Sequence, residues 1–303
     1  MRVSTAAVQQ SLLTQMRSVQ TQLNQASTQS VTGMKSDNYT GVADTSYVLA
    51  NLSAEISEAA AYTKVAETVQ GRVDMYYDTL NSMVDILGDM MANISAAISS
   101  GSDTAYGITD EAQTALDSFA ALLNTEYEDR YLYAGSATNA APVSVDPADY
   151  AAITSPSTTD TSYYAGNSDV ASAKIADGTK IEYGLTADME PFEQALRALN
   201  LVVNASSSPV DEAALNEAYS LLETAVIGIG DMQTQMSTTS NQLDTVIDMH
   251  TDFQLTAEGI VSGMAEVDVA EALVSLETLS IQLEASYSAV AKVQGLSLFD
   301  YLS

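Results

Sequence analysis

Apolar residues recur at alternating intervals of four and three along much of this chain. The clearest run is Val69, Val73, Tyr76, Leu80, Met83, Leu87, Met90 and Ile94. That spacing puts every member on one side of a helix, and a sustained seven-residue period marks a helix packed lengthwise against another. It predicts a very long helix that starts at a cap on Asp44 or Thr45 and ends near Ser100 and Gly101. Two further seams occupy the ends of the chain. One is Val8, Leu12, Met16, Val19, Leu23 and Ala26, in a helix predicted over residues 5–30. The other is Val269, Leu273, Leu276, Leu283, Tyr287 and Val290, followed by Leu296, Leu298, Phe299, Tyr301 and Leu302. Chain ends are usually polar and frayed. Apolar, helical ends expect partners, both each other and other subunits, although the seams taken alone favour the core of a monomeric bundle.

Between these seams the period changes. Residues 32–41, bracketed by Gly33 and Gly41, read as a polar connector. A third helix is predicted over residues 108–128, with Leu116, Phe119, Leu122 and Leu123 inward. Arg130-Tyr131-Leu132-Tyr133-Ala134-Gly135 is β-like. Residues 136–187 are rich in Thr, Ser, Ala, Asp, Gly and Tyr and contain Pro142, Pro147 and Pro156. Short strands are expected there at residues 151–154, 162–165 and 180–184. Helix returns at Asp188, with Pro191 in its first turn, and breaks at Ser206-Ser207-Ser208-Pro209. A second very long helical region starts at Asp211. Its seam is Leu215, Tyr219, Leu222, Val226 and Ile229, then Leu243, Ile247, His250, Phe253, Ile260, Met264 and Val267. Gly71, Gly88, Gly228 and Gly230 are soft points in these helices, and Gly259 to Gly263 is an expected hinge.

The expected fold is mainly α: an elongated antiparallel helical rod or coiled-coil bundle, its N- and C-terminal helices paired, with a small β-rich inserted domain. Residues 1–38 with 265–303 form the terminal helical domain. Residues 39–134 with 188–264 form the long-helix rod, and 135–187 an outward-facing insertion.

Charge narrows the possible partners. Ten Lys and Arg stand against 40 Asp and Glu, a net charge of −30. Nucleic-acid and anionic-membrane binding both rest on cations, so neither is expected. Residues 1–36 contain no acid, and no cation occurs between Arg197 and Lys292. The acids of that second span have no cations to pair with and are expected to face solvent. Cysteine is absent, which excludes disulfides and thiol chemistry. The N-terminus lacks the continuous apolar core of a secretory signal, and no stretch suffices to span a membrane.

Candidate chemistry is sparse. His250 is the single histidine, set in an apolar seam without a second ligand. The carboxylates are scattered too widely to nominate an acid–base pair, and no phosphate loop, nucleophile elbow or calcium loop is present. Asp146, Asp149, Asp160 and Asp169 are read as solvated loop acids rather than calcium ligands. Tyr131 and Tyr133 are expected in a small β core. No catalytic, cofactor or metal residue is nominated.

Several segments resemble the bacterial flagellin superfamily and, within it, the family of hook-filament junction proteins. The opening Met1-Arg2-Val3-Ser4-Thr5 is similar to that family's start. Gln29-Ser30-Val31-Thr32-Gly33-Met34-Lys35 resembles its Ser/Thr-Gly-Lys/Arg connector, with Met34 intervening. Asp129-Arg130-Tyr131-Leu132-Tyr133-Ala134-Gly135, followed by Ala141-Pro142, resembles its Gly-Arg-Tyr-Leu-Phe-Ala-Gly … Pro segment. Leu283-Glu284-Ala285-Ser286-Tyr287 and Ser297-Leu298-Phe299-Asp300-Tyr301-Leu302 resemble its C-terminus. The acidic step after the connector is replaced by Asp37-Asn38-Tyr39-Thr40-Gly41, and the insertion has no counterpart.

The resemblance implies a non-enzymatic structural subunit in the extracellular flagellum. It would join a hook-associated protein on the hook side to flagellin on the filament side. It would meet copies of itself in a ring, and a cytosolic chaperone would hold it before type III export. Polymerisation would use Val8, Leu12, Met16, Val19, Leu23, Val269, Leu273, Leu276, Leu283, Tyr287 and Val290. The tail Leu296, Leu298, Phe299, Tyr301 and Leu302 would serve chaperone binding and assembly. The alternatives are a flagellin proper, or a secreted coiled-coil effector or adhesin sharing the export route.

Overall fold

The computed structural model describes residues 2–38, 44–100, 107–206 and 210–302. Six helices carry the fold: α1 (Arg2–Thr32), α2 (Ser46–Ser100), α3 (Ile108–Leu123), α4 (Glu190–Asn204), α5 (Glu212–Ala265) and α6 (Val269–Leu302). Two small antiparallel hairpins complete it: β1 (Glu126–Tyr127) with β2 (Arg130–Tyr131), and β3 (Ser172–Ala176) with β4 (Thr179–Glu182). The expectation of a mainly helical, antiparallel protein with a small β part is met. The chain forms two compact units, residues 1–59 with 252–303 and residues 60–251.

In the unit of residues 60–251, the α2 seam is buried throughout. Val69, Val73, Tyr76, Leu80, Met83, Leu87, Met90 and Ile94 are all at most 2% exposed. The α5 partners are Leu215, Ala218, Leu222, Ala225, Ile229, Met236 and Leu243, which also step by three and four. The two helices run antiparallel: Tyr62 stacks on His250, Gln70 bonds to Asp244, and Tyr77 lies beside Met236. Gly71 is a point of close approach rather than a soft point. A Cβ there would sit 2.5 Å from the Tyr127 hydroxyl, and one on Gly228 would sit 2.5 Å from Pro191 Cγ.

The helix α3 ends at Leu123, earlier than its sequence suggests, because Asn124 and Thr125 close it and the chain turns into the β1–β2 hairpin. That hairpin turns on Glu128 and Asp129, both with positive φ, at 50° and 58°. A two-residue loop with both residues left-handed matches the strand twist, and Asp tolerates that conformation better than most residues. Tyr133 then enters the helical core, fully buried, edge-on to Tyr76 and Phe192 with ring centres 5.0 and 5.5 Å away. Its hydroxyl meets that of Thr79. The expectation of a β core thus gives way to a helix-packed position, and Tyr131 is only half-buried. Burial drives the phenols of Tyr76, Tyr133, Tyr150 and Tyr163 above their ordinary pKa, so all four stay neutral.

Within residues 135–187, only β3 and β4 are strands. Residues 162–165 contribute a single bridge, Val143 to Tyr164, and residues 151–154 none. The reason is visible in their hydrogen bonds. Ile153 N donates to Asn200 Oδ1 at 2.9 Å, Ser157 N to Glu217 Oε1 at 2.8 Å, and Asp160 N to Glu193 Oε1 at 3.0 Å. Side chains of α4 and α5 satisfy this backbone, so it needs no neighbouring strand. Behind them Arg197, 9% exposed, faces Glu193, 2% exposed. Arg197 Nη2 donates to Glu193 Oε2 at 3.2 Å, and its Nε lies 2.9 Å from Oε1 without the alignment of a hydrogen bond.

The acids Asp146, Asp149, Asp160 and Asp169 accept bonds from Ala148 N, Ser144 Oγ, Ser162 N and Ser136 Oγ respectively. They act as local loop staples. His250 is buried, its ring 5.5 Å from that of Tyr62 and its Nε2 2.9 Å from the Ile175 carbonyl oxygen, where it fastens the β3–β4 hairpin.

Candidate functional site

The unit of residues 1–59 and 252–303 is built differently. Among the residues whose side chains are described, its buried apolar residues are Ala26, Leu49, Ala59, Ala257 and Ala272, four alanines and one leucine. The helices α1 and α6 pair antiparallel along their length. On α1 the facing residues are Leu12, Met16, Val19, Leu23, Ala26 and Ser30, and on α6 they are Ala272, Leu276, Leu279, Leu283, Ser286 and Val290. Both sets step by four and three alternately, and all but the two alanines remain partly exposed. A two-helix layer has only one covered side per helix, so its large side chains stay wet at their margins.

Of the sequence-nominated interface residues, Leu12, Met16, Val19, Leu23, Leu276, Leu283 and Val290 lie in this pair. Leu273 and Tyr287 do not: they are 52 and 49% exposed. Val269 is 42% exposed, and its Cγ2 would lie 3.8 Å from a Cβ on Gly33, at the end of α1. The periodic reading missed Ala272 and Ser286 because it weighted side-chain size, and small residues are what let two helices approach; it missed Leu279 by stepping seven residues from Leu276 to Leu283. Val274 and Ile281, 64 and 62% exposed, stand on the side of α6 opposite the pair. Val8 lies on α1, and Leu296, Leu298, Phe299, Tyr301 and Leu302 lie on α6, outside the residues whose side chains are described.

The turn from α1 and the joint between α5 and α6 close this unit. Gly33, at φ 71°, ends α1 with its N–H on the Gln29 oxygen at 2.9 Å. Its own carbonyl accepts from Val267 N at 2.8 Å, and Lys35 N donates to the Ala265 oxygen at 2.7 Å. Lys35 Nζ then donates to the Gly263 and Met264 oxygens at 2.9 and 2.6 Å. A cation thus caps the negative end of a long helix whose last turn has no basic residue of its own. Gln29 Nε2 donates to the Lys35 oxygen at 3.0 Å, and Asp268 Oδ1 caps α6 through Ala270 N at 2.8 Å. The expected hinge at Gly259 to Gly263 is continuous helix; α5 stops only at Ala265. Tyr39, Thr40 and Gly41 of the connector lie outside the described residues.

The chemistry available here is apolar and hydrogen-bonding. Among the described residues no group of His, Cys, Asp and Glu could hold a metal ion, and no helix is long and apolar enough to cross a membrane.

Residues 213–302 match the family described as the bacterial flagellin C-terminal helical region. Two solved structures share the fold. One, from Vibrio parahaemolyticus and assigned as a flagellar hook-associated protein, has 19% identity and a TM-score of 0.59, covering 72% of this chain and 96% of that one. The other is Bacillus cereus FlgL, with 16% identity and a TM-score of 0.52, covering 66% and 98%. No curated protein sequence matches. The chain thus carries a flagellin-type C-terminal helical region on a fold shared with flagellar hook-associated structures. The resemblance to the flagellin superfamily is matched in sequence over residues 213–302, and the fold is one shared with flagellar hook-associated structures.

Proposed function

We propose that this chain is a structural subunit of the bacterial flagellum, an adaptor joining a hook-associated protein to the flagellin filament. One observation carries the reading. Among the residues whose side chains are described, the unit of residues 1–59 and 252–303 buries only Leu49 besides alanines, while Leu273, Val274, Ile281 and Tyr287 of α6 are 52, 64, 62 and 49% exposed. Apolar surface of this extent on a paired helix is stabilised by further burial. The exposed positions of α1 support the same reading. Between residues 10 and 25 they are Leu13, 46% exposed, and Gln, Ser, Thr and Asn, with only Arg17 charged, so covering them desolvates few charges.

Copies of the chain would meet in a ring, with a hook-associated protein on one side and flagellin on the other. Export would use the flagellar type III route, with a cytosolic chaperone engaging the segment from Leu296 to Leu302. The role is structural rather than enzymatic.

Gold labelling of intact flagellated cells tests it. A single band between hook and filament is the expected result. Label along the whole filament would make the chain a flagellin, a second reading favoured by the family match over residues 213–302. No label on the appendage would overturn both and leave a secreted effector or adhesin.

A further inference from the structure

The chain has ten cations, and three of them, Lys64, Arg72 and Arg130, line one cleft of about 580 Å³ in the unit of residues 60–251. Its apolar wall includes Val65 and Val170, 39 and 43% exposed. Arg72 is spoken for: Nη1 donates to the Tyr183 hydroxyl at 2.9 Å and Nη2 pairs with Glu128 at 3.2 Å. Lys64 and Arg130 are exposed and make no ion pair with a described residue. Asp169 also lines the cleft, its carboxylate accepting from Ser136 Oγ, and Glu128 offsets Arg72, so Lys64 and Arg130 leave a small local excess of positive charge beside the apolar wall in a protein of net charge −30.

The complementary surface lies on α5 of the same unit. Glu223, Ile227 and Asp231 follow at four-residue steps on its outward side; all three are exposed, Ile227 at 63%, and neither acid is ion-paired. This is a carboxylate, an apolar side chain and a carboxylate along about 12 Å of helix, the length eight residues span. In the cleft, Lys64 and Arg130, unpaired among the described residues, stand beside the exposed Val65 and Val170. The two surfaces are complementary in charge: cations about an apolar wall, and carboxylates about an apolar side chain.

We infer that the cleft between α2 and the segments 130–136 and 169–173 docks the Glu223–Ile227–Asp231 ridge of a second copy of this chain. The contact is head-to-tail: each copy offers one cleft and one ridge, which is the arrangement that propagates around a ring or along a helix. At physiological ionic strength the Debye length is about 8 Å, so the overall repulsion of two acidic chains is screened while direct pairs persist. The inference deepens the structural reading above and rests on it only for the expectation that copies meet.

A charge swap between copies tests it. Two variants of the full chain are made, Lys64→Glu with Arg130→Glu, and Glu223→Lys with Asp231→Lys. All four sites are exposed, and unchanged circular dichroism verifies folding. Each variant alone is expected to self-associate about tenfold or more weakly than wild type in sedimentation. Their equimolar mixture recovers association: the unaltered ridge of the first meets the unaltered cleft of the second, and growth beyond pairs follows because the reversed cleft meets the reversed ridge. Carbodiimide coupling of isotopically distinct wild-type copies is expected to join Lys64 to Glu223 or Asp231 between chains.

No self-association of wild type at its highest soluble concentration, no rescue in the mixture, or Lys64 coupled only to acids elsewhere would overturn the inference. Such a failure beside a correct band at the hook-filament boundary would overturn this contact alone. A misplaced label with intact rescue would overturn the location and not the contact.

Discussion

Leu283 and Ile281 are two residues apart on α6, yet the structure gives them opposite roles, and aspartate at each separates pairing from assembly. Leu283 faces α1 among Leu276, Leu279 and Val290, whereas Ile281 is 62% exposed on the far side. Fully burying a leucine is worth about 1.5–3 kcal/mol. Leu283 is only partly covered, which halves that to about 1 kcal/mol. Placing a carboxylate against the opposed Leu and Val side chains adds a desolvation penalty of about 1–2 kcal/mol after water reaches it. Leu283→Asp should therefore loosen the α1–α6 pair by about 2–3 kcal/mol, while Ile281→Asp, as a surface change, should shift it by less than about 0.5 kcal/mol.

Amide hydrogen exchange of the purified chain reads this directly. With tenfold per 1.4 kcal/mol, slowly exchanging amides of α1 should exchange about 30- to 100-fold faster in Leu283→Asp and within about threefold of wild type in Ile281→Asp. Both variants should fail to enter the flagellum, the first through a broken pair and the second through a spoiled outward face. If Ile281→Asp loosens α1 as much as Leu283→Asp, the assignment of faces is wrong. If Ile281→Asp assembles normally, the outward face is not a subunit contact.

Three further perturbations probe the frame. Lys35→Met removes the cation over the Gly263 and Met264 oxygens; the Val267 and Lys35 amides should exchange about tenfold faster, for a loss of about 1–2 kcal/mol, with no change near Ile94. Arg197→Met strands the Glu193 carboxylate at 2% exposure and should lower stability in urea by about 3–5 kcal/mol, most of it recovered when Glu193→Leu is added. At Glu217, burial pushes the carboxyl up, but bonds from the Ser155 and Ser157 hydroxyls and the Ser157 amide, with Arg197 nearby, hold it below its ordinary value. Its contribution is thus complete above the ordinary glutamate range and fades as pH falls through the lowered native value; Glu217→Gln should flatten that part of the acid-side decline in the urea midpoint below about pH 4.3.

The parts of this fold legible in the sequence are those governed by one repeating interaction. The α2 seam from Val69 to Ile94 could be read residue by residue because one helix face meets one partner along its length. On α6 the same rule named Leu273 and Tyr287, which lie outside the pair, and passed over Ala272 and Leu279. A helix apolar on more than one side has no single stripe to find, and that ambiguity is itself the trace of a second contact. Residues 151–154 differ for another reason: the Ile153 N–H and the Ala151 carbonyl, which a strand would pair, bond to the side chain of Asn200, far away in sequence. The cleft at Lys64 and Arg130 was equally invisible, since three segments distant in sequence build it.

The two units divide the chemistry of folding and of assembly between them. Residues 60–251 contain the tyrosine cluster, the Glu193–Arg197 pair and a continuous seam, interactions whose partners all lie within that unit. Residues 1–59 and 252–303 contain backbone pairing, a cationic helix cap and a helix pair that leaves its larger apolar side chains half covered. Ordering a helix costs about 1–2 kcal/mol per residue in backbone entropy, and one covered stripe offsets only part of it. On the proposed reading, a second covered stripe on α6 would add to that offset in an assembly. Val274 and Ile281 would then stabilise the assembled state, while the stripe through Leu276, Leu279 and Leu283 holds the pair in the free chain.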